Sequence, residues 1–249
     1  MSSTPHHTLI ASHRGGSYLW PENSLTAFRR TAELPVDQVE FDVHLSADDA
    51  VVVIHDATLD RTTETRGQVR ARTLAELRQI RLRGADGESV PTLAEVAAVY
   101  RDTPIALRVE IKPDVDRLLY PGIAPKVVAE LEAAGMLERS VITSFQAPML
   151  EEVRATGRFP GKMIWLCTPA TWCDIGLAGV LGVARGCGAS GIALHHSIWT
   201  PMILAEARGA GLSPGAWGLR DDADIRRVLD LGLDIFTSDE PVAALRLRG

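Results

Sequence analysis

Two carboxylates lie two residues apart in a segment with the pattern of a buried strand. Val39 to Leu45 alternates strictly, so Glu40 and Asp42 project from one face while apolar side chains occupy the other. Glu110 belongs to a later strand and is expected to face the same way. Buried carboxylates repel one another unless a cation compensates them. The all-oxygen set suits one divalent cation, Mg²⁺ or Ca²⁺, rather than zinc; a network of ion pairs with Arg or Lys is the alternative.

Two histidines follow different predicted strands and could flank one substrate. His13 and His55 titrate near neutral pH, so the pair can serve as base and acid in one displacement. Arg14 follows His13 directly, and Lys112 lies two residues beyond Glu110, on the same face. These cations suit a phosphate whose negative charge rises during transfer. For Lys112 the alternative is a simple ion pair with one of the glutamates.

The elements that must position these residues alternate between short apolar strands and segments of helical period. The pattern predicts an α/β protein with eight strand–helix units, the size of a (β/α)₈ TIM barrel, in which polar residues at strand ends meet on one face. The count takes His7 to Ala11 as the first strand, and Val39 to Leu45 with Val51 to Ile54 as one broken strand. A doubly wound open sheet is the competing interpretation, although no glycine-rich phosphate loop follows any strand.

The chain has no linker or low-complexity segment, so residues 1–249 are expected to form a single domain. Residues 57–90 are long for a loop and predict a small insertion after the second strand. A weaker helix is expected near Ile175 to Arg185, and the role of residues 174–188 is left open.

The composition argues against some classes of function and location. The net charge of −6 argues against a nucleic-acid-binding protein. The sequence has no secretory signal and no apolar stretch suited to a membrane anchor, which favours a cytoplasmic protein. The sequence leaves the oligomeric state open.

The ordered motifs resemble the glycerophosphodiester phosphodiesterase family. No single motif is specific, but together they span nearly the whole chain in the right order. The matching segments are His13-Arg14-Gly15-Gly16, Pro21-Glu22-Asn23-Ser24, Val39-Glu40-Phe41-Asp42-Val43, His55-Asp56, Leu59-Asp60-Arg61-Thr62-Thr63, Val109-Glu110-Ile111-Lys112, Ala216-Trp217 and Ser238-Asp239-Glu240-Pro241.

The resemblance implies a TIM barrel that hydrolyses a glycerophosphodiester, such as glycerophosphocholine, to glycerol 3-phosphate and an alcohol. It places the metal ligands on Glu40, Asp42 and Glu110, and the catalytic histidines on His13 and His55. Arg14 and Lys112 would contact the phosphate. Trp217, near a late strand end, could contact the substrate or simply pack.

Two other functions compete with this one. A lysophospholipase D-like or cyclising phospholipase activity could use the same barrel, and an exposed apolar rim near residues 175–183 would favour it. The second alternative is not an enzyme but a barrel that binds phosphodiesters without hydrolysing them. The joint presence of both histidines, three carboxylates and Lys112 disfavours it.

Overall fold

The computed structural model describes residues 7–249 and shows a closed barrel of eight parallel strands. The first strand pairs with both the second and the last, so the sheet has no open edge there. This confirms the TIM barrel predicted from the sequence. The barrel strands are β1 (Leu9–His13), β2 (Gln38–Leu45), β4 (Ala106–Ile111), β5 (Ser140–Ser144), β6 (Lys162–Cys167), β7 (Gly191–His195), β8 (Ser213–Leu219) and β9 (Ile235–Ser238).

Helices cover the outside of the barrel, as the alternating pattern requires. They bury the apolar face of each strand and leave the opposite face for the interior. These helices are α1 (Leu25–Ala32), α3 (Leu93–Tyr100), α4 (Ile123–Ala133), α5 (Ala147–Ala155), α6 (Pro169–Gly186), α7 (Pro201–Gly209), α8 (Asp222–Leu231) and α9 (Pro241–Arg248); the short helix α2 (Leu74–Leu77) lies in the segment 57–90 instead.

The second strand shows how this layering fixes the functional face. Phe41 packs edge-on against Phe28 of α1, with ring centroids 5.6 Å apart, and Phe28 packs in turn against Tyr100 of α3. Burying each phenylalanine contributes about 1.5–3 kcal/mol. Strand alternation then turns Glu40 and Asp42 to the other side, into the barrel.

The expectation of one broken second strand is wrong. Val51–Val53 forms a separate strand, β3, that runs antiparallel to the end of β2, with Val53 opposite Val43. A tight turn reverses the chain: Ser46 bonds to Asp48, and Asp49 adopts a φ of 64°. Apolar content alone does not reveal strand direction. The reversal matters because β3 runs back along β2 and brings His55 close to Asp42, whose backbone carbonyl accepts a hydrogen bond from the N–H of Ile54.

Smaller differences concern element ends. The first strand begins at Leu9 rather than His7. Helix α6 begins at Pro169 rather than near Ile175, because Thr168 caps it and its first turn precedes a kink at Gly176. The apolar side chains Val180 and Leu181 of that helix are buried in the core.

The segment 57–90 carries α2 and folds over its own small apolar cluster, which includes Leu59, Val69 and Leu77. Thr73 and Glu76 form a reciprocal capping box at the start of α2, which explains why so short a helix forms there. The cluster is completed by Val52 and Ile54, so the segment is attached to β3 and therefore to His55.

Candidate active site

A cavity of about 280 Å³ opens at the carboxyl ends of the barrel strands. This is the end at which TIM barrels carry their catalytic groups. The lining residues include all the candidate site residues except Asp42, which is completely buried beneath the surface of the cavity. They are His13, Arg14, Glu40, His55, Arg108, Glu110, Lys112, Thr143, Phe145, Leu166, Ala193, Trp217, Gly218, Thr237 and Asp239.

The three predicted ligands converge. Glu40 and Asp42 lie on β2 and Glu110 on β4, and strand register sets Asp42 directly beside Glu110. One oxygen from each side chain lies within 4.8 Å of the others. Three carboxylate oxygens at this separation fit a hard divalent cation, which prefers oxygen donors.

The pKa values of Glu40 and Asp42 reflect the closeness of these buried carboxylates and of the cations beside them. Burial, reinforced by Asp42 and Glu110, raises the pKa of Glu40 to about 7. Burial also acts to raise the pKa of Asp42, but Lys112 and the neighbouring cationic groups outweigh it and lower that pKa. Lys112 Nζ lies 3.1 Å from Asp42 Oδ1 and 2.6 Å from Glu110 Oε1. Lys112 contacts Asp42 and Glu110, and Arg14 contacts Asp42, yet the pKa of Glu40 stays raised, so its negative charge is the one that a divalent cation would stabilise.

His13 stands at the end of β1 and is held from both sides. Its Nδ1 lies 2.5 Å from Asp239 Oδ1, and its Nε2 lies 3.8 Å from Glu40 Oε2. The Ser17 hydroxyl donates a second hydrogen bond to the same Asp239 oxygen. Burial acts to lower the pKa of His13, but Glu40 and Asp239 outweigh it and raise that pKa.

His55 faces the same cavity from the end of β3 and is oriented by its neighbour. Its Nδ1 lies 2.6 Å from Asp56 Oδ1. Burial lowers the pKa of His55, and the positive charges of Lys112 and Arg14 add to this effect. The two histidines therefore share one feature, a carboxylate within hydrogen-bond distance of Nδ1, while Nε2 of His13 has only the longer contact with Glu40.

Arg14 connects the carboxylates to the outer loops. Its backbone N–H donates to Glu40 Oε2 at 3.1 Å, and its Nε lies 3.4 Å from Asp42 Oδ2. Its guanidinium also donates to Glu22, which Arg61 contacts through two nitrogens. The motif residues thus form one connected network rather than independent contacts.

Trp217 forms part of the cavity wall within an aromatic cluster. Its ring packs edge-on against Phe145 at 5.5 Å and against His195 at 5.1 Å, and its indole N–H donates to the Ala193 carbonyl at 3.2 Å. Trp199 is fully buried, and its indole N–H donates to the Gly215 carbonyl at 2.8 Å.

The sequence did not assign roles to three residues of the site. Asp239 and Asp56 orient the histidines, and Arg61 donates to Asp56 at 2.7 Å. The signals were the adjacency of His55 and Asp56, and the place of Asp239 at the end of the last strand, which a closed barrel sets beside the first.

Arg108 was also missed. It lies two residues before Glu110 on the same face of β4 and is only 5% exposed. The same two-residue alternation that set Lys112 on the face of Glu110 also sets Arg108 on that face. Burial lowers the pKa of Arg108 to about 10, partly offset by Glu40 and Glu110.

Within residues 7–249, the chain forms no helix that combines the length and the apolar character needed to span a membrane.

Comparison with known proteins gives a consistent result. The model of the glycerophosphoryl diester phosphodiesterase family matches residues 13–243. A glycerophosphodiester phosphodiesterase of Caldanaerobacter subterraneus subsp. tengcongensis is 31% identical over 96% of this chain and 97% of its own.

Solved structures agree. A protein of Agrobacterium tumefaciens assigned to the same family superposes with a TM-score of 0.93 at 36% identity, over 97% of both chains. Another, from Silicibacter pomeroyi, has a TM-score of 0.87 at 25% identity, over 98% of this chain and 94% of its own. The chain therefore belongs to the glycerophosphoryl diester phosphodiesterase family and is an enzyme of that class.

Proposed function

We propose that the enzyme hydrolyses small glycerophosphodiesters, such as glycerophosphocholine and glycerophosphoethanolamine, to glycerol 3-phosphate and an alcohol with the help of one divalent cation. The observation that carries this proposal is the convergence of three carboxylates and two carboxylate-oriented histidines on one cavity. Family membership supports the reaction class.

Glu40, Asp42 and Glu110 are the proposed ligands of the cation, Mg²⁺ or Ca²⁺. When bound, the cation would stabilise negative charge on the phosphoryl oxygens. Lys112 and Arg14 border the same carboxylates and are proposed to bind the phosphate, each as a fixed positive charge in a site of low dielectric. Their contacts with Asp42 keep both cations beside the proposed cation ligands, which supports this role.

His13 and His55 are proposed as the acid–base pair. One accepts the proton of the glycerol 2-hydroxyl as that oxygen attacks phosphorus, and the other donates a proton to the departing alcohol oxygen. The internal nucleophile supplies proximity without a bound water. Water then opens the cyclic phosphate with the two histidines in exchanged roles. Asp239 and Asp56 fix the ring orientations that both steps need.

Trp217 is proposed to contact the substrate from the wall. Its ring is held by Phe145 and His195, which leaves a rigid apolar surface on one side of the cavity. We further propose a cytoplasmic, single-domain enzyme with a small-molecule substrate, without a nucleic-acid partner or a stable membrane anchor. The acidic net charge of −6 supports this setting. A homo-oligomer remains compatible with the sequence.

A lysophospholipase D-like or cyclising activity on longer lipids is the second candidate, and one observation favours it. Exposed apolar side chains follow three of the strand ends that surround the cavity: Tyr18 after β1, Leu118 after β4 and Ile175 after β6. Tyr18 and Leu118 are each 63% exposed. An exposed apolar rim over residues 175–183, which would favour this candidate, is only partial, because Val180 and Leu181 are buried.

Product analysis separates the candidates. The enzyme is incubated with glycerophosphocholine, glycerophosphoethanolamine and a lysophospholipid, and released glycerol 3-phosphate or lysophosphatidate is quantified. We expect glycerol 3-phosphate from the short substrates. Turnover of the lysolipid alone would favour the second candidate, and failure with all three would favour a non-catalytic phosphodiester-binding barrel.

A further inference from the structure

Arg108 is a buried cation with a free guanidinium group inside the barrel. It is 5% exposed and lines the active-site cavity. Within the described residues 7–249, its guanidinium forms neither an ion pair nor a hydrogen bond with another residue. The other two cations of the cavity, Arg14 and Lys112, both contact carboxylates.

The position of Arg108 differs from that of the proposed phosphate-binding groups. It lies on β4, four residues before Lys112, which directly follows that strand, so its backbone is about 13 Å deeper in the barrel. Glu40 lies beside Arg108 on β2, whereas Val141 lies beside it on β5 and begins an apolar group that includes Ile164 and Leu166. Arg108 is therefore a positive charge at the inner end of the cavity.

The guanidinium nitrogens of Arg108 have no hydrogen-bond partner among residues 7–249 but keep access to the cavity, so a ligand in the cavity can reach them. Glu40, opposite Arg108 in strand register, and Glu110 act on it only at longer range. The five N–H donors of an arginine match a carboxylate or phosphate in a bidentate geometry. An anionic group of the substrate would supply the partner that the protein does not.

We propose that Arg108 binds a second anionic group, a carboxylate or a phosphate, carried by the alcohol portion of the substrate. The proposal rests on the proposed function, because it concerns which glycerophosphodiester the same site accepts. It makes Arg108 a specificity-determining residue: diesters of acidic alcohols are preferred over diesters of neutral or cationic ones.

The competing role for Arg108 is compensation of the carboxylate charge. In that case its removal would weaken every substrate alike, since the cation site itself would change. The two roles are separated by a ratio of rates for two substrates, which cancels effects on folding and on the metal.

Glycerophosphoserine and glycerophosphoethanolamine provide the matched pair, because their head groups differ only by one carboxylate. We expect the wild-type enzyme to favour glycerophosphoserine at least tenfold in kcat/KM. In Arg108→Gln this preference should fall to about one. In Arg108→Lys, which keeps the charge but loses the bidentate fork, an intermediate preference is expected. Thermal denaturation and titration with Mg²⁺ or Ca²⁺ are measured alongside.

The outcomes are distinct. Hydrolysis of both substrates by the wild type at equal efficiency overturns the role of Arg108 and leaves the proposed function intact. An equal loss on both substrates in the two variants, with the preference retained, assigns Arg108 to charge compensation and also overturns it. Hydrolysis of neither substrate by the wild type refutes the proposed function instead. If Arg108→Gln does not fold, the wild-type ratio and the Lys variant decide.

Discussion

His13 and Asp239 are 226 positions apart in the chain, yet His13 Nδ1 lies 2.5 Å from Asp239 Oδ1. His13 ends the first strand of the barrel and Asp239 follows the last, and these strands pair directly. Closure of the barrel is therefore what orients one of the two proposed catalytic histidines. A shift in the register between β1 and β9 would separate His13 from Asp239. The positions of the carboxylates on β2 and β4 do not depend on that pairing.

Removing the charge of Asp239 should impair catalysis without unfolding the protein. In Asp239→Asn we expect kcat to fall on the order of tenfold or more, because His13 loses the carboxylate that fixes its ring and tautomer. Titration with Mg²⁺ or Ca²⁺ should show little change in affinity, since Asp239 is not a proposed ligand. Asp230→Asn, an exposed carboxylate on α8, is the control and should behave as wild type. An equal rate in the two variants would remove Asp239 from the mechanism.

Both histidines should be needed for turnover and neither for metal binding. We expect His13→Ala and His55→Ala each to lose about a hundredfold or more in kcat, the usual contribution of a general acid or base. Calorimetric titration of the cation should show binding in both variants. Wild-type rates in His55→Ala would rule out two-histidine catalysis.

Arg61 should act on His55 through Asp56. The side chain bonds to both Asp56 and Glu22, and so ties the segment 57–90 to the loop after β1. In Arg61→Met we expect kcat to fall several-fold, up to about tenfold, with KM changing less.

Arg78→Met is the matched control for this substitution. Arg78 lies in the same segment, is 48% exposed against 47% for Arg61, and pairs with Glu95 away from the cavity. We expect the kcat of Arg78→Met to remain close to that of the wild type. Equal losses in the two variants would mean that Arg61 only stabilises the segment.

The same network predicts an acid-dependent contribution to stability. Burial acts to raise the pKa of Asp56, but Arg61 and His55 outweigh it and lower the pKa to about 2. The folded-state pKa lies below the unfolded value of about 3.9, so the contribution is complete above about pH 4. It is lost as the pH falls through about 2.

Urea unfolding of wild type and Asp56→Asn at several pH values measures this contribution. The difference in the free energy of unfolding between the two proteins should be larger at pH 5 than at pH 3 and shrink further as the pH falls toward 2. A difference that does not depend on pH would show that the Asp56 charge adds nothing.

Local patterns predicted the parts of the site that lie on strands. The period-two alternation predicted that Glu40 and Asp42 share one face of their strand. Glu110 could be added to them because the ends of parallel strands lie close together in a barrel. The direction of β3 was missed because an apolar run has the same appearance in either direction. The position of His55 was predicted as a strand end, but its cause, the reversal after Leu45, was not.

Long-range partnerships were harder to predict. The contact between His13 and Asp239 depends on closure of the barrel, and that between Arg61 and Asp56 on the fold of the segment 57–90. Neither follows from sequence spacing. The alternation of β4 predicts that Arg108 faces the barrel interior, but a single arginine in a strand is usually exposed on the surface.

The dependence of glycerol 3-phosphate release on the cation tests the central claim most directly. Release from glycerophosphoethanolamine is measured after EDTA treatment and again after Mg²⁺ or Ca²⁺ is restored, in wild type and in Glu40→Ala and Glu110→Ala. We expect EDTA to abolish release, one of the two ions to restore it in the wild type, and neither ion to restore it in the variants. Undiminished release in EDTA, or restoration in both variants, would contradict a catalytic cation held by these carboxylates.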